Sequence, residues 1–185
     1  MRHFSGKFFP ILLSLLLTGL SSRSLAQAIT GQQIKEQFIA DWERAKAYTL
    51  DYLNTMPADK YSFRPVDSIR SYAGQMLHLA SGNIGLITAA TGARIQWPGR
   101  GLENSPTAQG KDSVVWYVTR SYDFALESIK ALDPDKYAEM VGEGNRKAMR
   151  YTLLLKAFEH QTHHRGQTTI YIRLQGIRPP NERLF

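Results

Sequence analysis

The sequence predicts an all-α protein, a four-helix bundle, from three observations. Four stretches carry apolar residues at spacings of three and four, proline or glycine punctuates the segments between them, and no credible strand alternation occurs anywhere. Composition agrees with one ordinary globular domain: 185 residues, 43% apolar, 21% charged, with no internal repeat. The absence of cysteine removes thiol nucleophiles, thiolate metal sites and iron–sulfur clusters from the available chemistry.

The first segment reads as an export signal rather than as part of the bundle. Arg2, His3 and Lys7 precede an apolar run, Phe8 to Leu20, which is broken by Pro10 and too short to span a bilayer comfortably. Small-residue cleavage sites follow at Ala26 and Ala28. The expected organisation is therefore a signal peptide over 1–28 and a helical domain over 29–185, exported to the periplasm or secreted, with no stable membrane span after cleavage. Cleavage removes three cations and no anion, so the formal charge falls from +7 to +4. Much of the basicity thus belongs to the signal, and no arginine-rich run, zinc-finger spacing or RNP-like motif supports a nucleic-acid partner.

The first helix spans Gly31 to Met56, with Ile34, Phe38, Trp42, Ala45, Tyr52, Leu53 and Met56 on one stripe and Pro57 as its stop. Phe63-Arg64-Pro65 reads as an extended connection. A second helix starts at Ser71, a hydroxyl suited to capping, and runs through Met76, Leu77, Ala80, Ile84 and Ile87 to Gly92. Thr91 to Gly110 is a long glycine- and proline-bearing connection, of the kind that is commonly functional or mobile. The third helix spans about Lys111 to Leu132, with Val115, Val118, Tyr122, Ala125, Leu126 and Ile129 inward. The fourth begins near Asn145 and carries Met149, Leu153, Ala157, His160, His164, Tyr171 and Leu174 before Gly176.

On that fourth stripe His160 and His164 stand one turn apart, separated by only about 40° around the axis. Two imidazoles facing a core need partners, because a buried ring nitrogen without one is costly and two protonated rings repel. A metal ion removes both difficulties, and His78 on the second helix is the candidate third ligand. Small neighbours at Gly74, Ser81, Gly82 and Gly85 leave room beside it. Spacing alone does not choose between His163 and His164, and core histidines that merely hydrogen-bond are the plain alternative. Two familiar sites are excluded: Gln161 replaces the glutamate of a His-Glu-x-x-His peptidase helix, and no Glu-x-x-His pair exists for a di-iron bundle.

The run His160-x-x-His163-His164-Arg165-Gly166-Gln167, followed by Tyr171-Ile172-Arg173-Leu174 and Gly176-Ile177-x-Pro179-Pro180, resembles the fourth-helix signature of the DinB-like family of metal-dependent four-helix-bundle proteins. Trp42, the connection from Leu53 to Pro65 and the lead-in from Ser71 to His78 agree with it. The resemblance implies long crossover connections and a metal held by His78, His160 and His164, with His163 a neighbour. It is consistent with a homodimer, on which composition is silent. Some relatives are similar to transferases or isomerases that use low-molecular-weight thiols, which are cytoplasmic. Export therefore favours a hydrolytic or other non-thiol role.

The expected function is a divalent-metal-dependent hydrolase or transferase using zinc, nickel or iron. There the ion would polarise a substrate oxygen or activate water. The alternative is a non-catalytic metal- or small-molecule-binding module. Gln75, Arg165, Gln167 and Tyr171 are candidate neighbours of the site. Glu159 is placed on the surface, no catalytic base is nominated, and the substrate is unknown.

Overall fold

The computed structural model describes residues 28–97, 99 and 101–185, so the export segment read over 1–28 lies outside it apart from Ala28. Four helices form: α1 (Gly31–Thr55), α2 (Tyr72–Thr91), α3 (Lys111–Ala131) and α4 (Arg150–Leu174). Local chemistry sets their ends. Thr30 and Gln33 close a capping box on α1, and Pro57 follows its last turn. The Ser71 hydroxyl accepts from Gly74 N at 3.0 Å, and Gly92 ends α2 in the left-handed conformation that glycine adopts without strain. The chain around Phe63 also serves α2, because the carbonyls of Tyr61 and Phe63 accept from Ala73 N and Tyr72 N at 2.9 Å each.

Long-range contacts give the topology. Lys111 Nζ, at the start of α3, donates to Asn54 O and Met56 O at the end of α1. Lys35 in α1 donates to Leu132 O at the end of α3. These two helices therefore run antiparallel. Likewise Arg150, the first residue of α4, donates to Ala90 O near the end of α2, and Tyr171 OH near the end of α4 donates to Arg70 O just ahead of α2. By contrast α1 and α4 run parallel, since Phe38 meets Tyr151 early in both and Tyr52 meets Thr169 late in both. It follows that α2 and α3 are parallel, so their connection must return along the bundle. That return makes residues 92–110 long, and it carries Leu102–Asn104 back beside α2.

The inner stripes are largely as expected: Trp42, Leu53, Met76, Leu77, Val118, Tyr122, Ile129, Leu153 and Ala157 are buried. Three expectations are corrected. Helix α4 begins at Arg150 rather than near Asn145, because Gly142 and Gly144 take positive φ and Met140–Val141 pairs antiparallel with Ala148–Met149 in a two-residue ribbon. Met149 lies in that ribbon and Leu174 in the last turn, so both are exposed rather than inward. The ribbon is too short to leave an alternating pattern in the sequence. Among the described residues no helix is long and apolar enough to cross a membrane.

Candidate metal centre

Because α2 and α4 are antiparallel neighbours, His78 faces His164 while Gly82, one turn on, faces His160. The ring centroids stand 4.5 Å apart for His78 and His164, 4.4 Å for His160 and His164, and 5.2 Å for His78 and His160. One nitrogen from each ring lies within 4.8 Å of the other two, an arrangement that can hold a metal ion. The stripe of small residues on α2 makes this approach feasible in a specific place: a Cβ at Gly82 would overlap the His160 ring.

Each ring has a distinct surrounding. His78 Nδ1 lies 2.7 Å from Glu103 Oε1, and because a carboxylate only accepts, Nδ1 donates in this contact. The second Glu103 oxygen accepts from Arg70 Nε at 2.6 Å. Burial alone would raise the Glu103 carboxyl, but the bonds from His78 and Arg70 outweigh it and hold the group below its usual value. Gln75 Nε2 donates to His164 Nδ1 at 3.1 Å, and the same amide turned by 180° would offer its oxygen to an Nδ1–H instead. His160 Nδ1 is buried with no hydrogen-bond partner, a cost that an ion bound at that nitrogen would remove.

Burial, reinforced by the neighbouring histidines, pushes His160 and His164 down to about 4. Both are therefore neutral at pH 7, the form in which an imidazole can bind a metal. The three residues and their environment fit a divalent ion: three nitrogen donors, two of them neutral, with one nitrogen each of His78 and His164 held by a neighbouring side chain. No cysteine competes for it.

A polar cleft of about 1200 Å³ opens next to the cluster. Gln75 and Glu103, which touch His164 and His78, form part of its wall with Arg70, Gln109, Gln167 and Tyr171. The His78 side chain is 26% exposed.

The sequence candidates divide clearly. Gln75 reaches the cluster. Tyr171 lines the cleft but spends its hydroxyl on Arg70 O. Arg165 turns away into the bundle, where it lies over the Tyr48 ring at 4.6 Å and donates to Gln161 Oε1 at 2.8 Å. His163 is exposed and meets Gln167, and Glu159 is on the surface as expected. Glu103 was not legible in advance. It lies in a stretch without periodicity, and the length of that connection was the only hint.

Comparison with known proteins agrees with this architecture. The fold is similar to that of a DinB-like protein from Bacillus cereus, with a TM-score of 0.69 and 17% identity over 80% of this chain and 97% of that one. It is similar to a conserved protein from Enterococcus faecalis, with a TM-score of 0.62 and 14% identity over 80% and 98%. A DinB-like protein from Bacillus subtilis gives 0.60 and 15% over 80% and 96%. At these identities the likeness is one of fold. No curated protein matches the chain. The DinB family model, however, matches residues 28–183, so the whole bundle with its histidine cluster belongs to the DinB family.

Proposed function

We propose that this protein is an exported DinB enzyme, a hydrolase or other non-thiol group-transfer catalyst, in which His78, His160 and His164 hold one divalent ion, zinc, nickel or iron. The observation that carries this reading is the convergence of three imidazoles, two of them held neutral, beside an open polar cleft. An ion bound there supplies Lewis acidity to an oxygen brought against it. The chain's own residues do the rest. Glu103 and Gln75 hold the outer nitrogens of His78 and His164, and Gly82 leaves the space His160 needs. The cleft wall of amide and charged side chains suits a polar small molecule rather than a lipid.

Elemental analysis of the purified mature protein tests the metal. One divalent ion per chain is expected, lost in His78→Ala. Hydrolysis of a panel of small esters and amides, before and after chelation, tests the enzyme. Metal bound without any metal-dependent turnover would instead favour a binding module. Export is checked by N-terminal sequencing of protein recovered outside the cytoplasm, with Gln27 or Ile29 expected as the first residue.

A further inference from the structure

The α2–α3 connection does more than link two parallel helices, because its return path brings one carboxylate against His78. Leu102 is buried and anchors the path. The two N–H groups of the Gln109 side-chain amide are shared among three of the path's carbonyls, Leu102 O at 3.3 Å, Glu103 O at 3.0 Å and Ser105 O at 3.1 Å. Backbone held in this way leaves the Glu103 side chain little freedom. Its Oε2 is fixed by Arg70 and its Oε1 by His78.

We infer that Glu103 is a positioning residue of the metal centre: it locks the His78 ring in the Nδ1–H tautomer and so leaves Nε2 as that ring's metal-binding nitrogen. The inference rests on the metal reading above. The chemistry is general. A ligand imidazole that donates its other N–H to a carboxylate is fixed in orientation and made a better donor, and loss of such a partner commonly weakens metal binding by about 10- to 100-fold. A role as proton acceptor in catalysis fits less well, since both oxygens are already engaged. Gln75 is the weaker counterpart on His164, because an amide serves either tautomer whereas a carboxylate enforces one.

Two measurements test this. Nitrogen-15 NMR of the metal-free protein reads the His78 tautomer directly. The wild type is expected as Nδ1–H, whereas Glu103→Gln, whose single amide oxygen is also wanted by Arg70, and Glu103→Ala both shift toward Nε2–H. Zinc affinity, measured by competition with a chromophoric chelator, is expected to fall about 10- to 100-fold in Glu103→Ala and by less than that in Glu103→Gln, whose amide serves either tautomer. Arg70→Met removes the other anchor of the loop while sparing the His78 contact, so it is expected to keep the wild-type tautomer. A purely structural role would move Arg70→Met and Glu103→Ala alike, and that result overturns the inference. So does Glu103→Ala with wild-type tautomer and affinity. If zinc is then still lost in His78→Ala, the metal reading survives without the inference. A wild-type protein that takes up no zinc, nickel or iron removes the metal reading, while the tautomer still decides what Glu103 does to His78.

Discussion

Gly82→Ala sets two physical effects against each other. Within a helix, alanine in place of glycine gains about 1 kcal/mol from propensity alone. At Gly82 the added Cβ would occupy the space of the His160 ring, and overpacking of that kind costs roughly 1–3 kcal/mol when nothing yields. The net change is then about 0–2 kcal/mol destabilising. If the ring instead rotates away, stability stays near neutral, but His160 leaves the cluster and regains the environment of an ordinary imidazole. Gly85→Ala is the matched control, on the same helix with nothing within 4 Å of its Cβ, and should be stabilising by up to about 1 kcal/mol. Urea unfolding of both variants, with NMR titration of His160, reads the difference. In Gly82→Ala either stability falls or His160 titrates near 6.5 rather than about 4. A Gly82→Ala protein as stabilised as Gly85→Ala, with His160 still titrating near 4, would refute the close approach.

The two depressed histidines also set an acid limit on the metal-free protein. Their folded-state values near 4 lie below the ordinary 6.5, so the unfolded chain binds more protons between those values. Stability should therefore be full above about pH 6.5, decline as pH falls, and level off for these two groups below about pH 4. Denaturation midpoints across that range check it, and His160→Gln with His164→Gln should flatten the slope. At Arg165 the buried guanidinium has no carboxylate within ion-pair distance among the described residues; it rests on Tyr48, Gln161 and, at 3.4 Å, Thr49. Arg165→Lys is expected to cost about 1–2 kcal/mol in urea unfolding, since a lysine cannot reproduce the planar stack and fork together.

The second helix was legible almost to the residue because its limits are chemical: a serine hydroxyl that caps and a glycine that takes the left-handed turn. The start of the fourth helix was not, because Gly142, Gly144 and a two-residue ribbon divert a segment whose composition reads only as polar connection. Within the site, His160 and His164 follow from helical periodicity, and the small residues near His78 signalled a close approach. Periodicity also explains Arg165, which lies about 100° around the helix from His164 and therefore faces α1. Glu103 escaped because its partner lies 25 residues away in sequence and they meet only through the return of the chain. No local pattern encodes a contact of that kind.

A site divided between two helices survives only if neither slides along the other. One turn of slippage, about 5.4 Å, would put His164 out of reach of His78 and drive His160 past the gap at Gly82. Arg150 on Ala90 and Tyr171 on Arg70 fasten α2 to α4 at opposite extremities, as Lys111 and Lys35 fasten α1 to α3. The histidines sit between the two fastenings, where axial play is least, so the precision of the cluster is set by residues that lie several turns away from it.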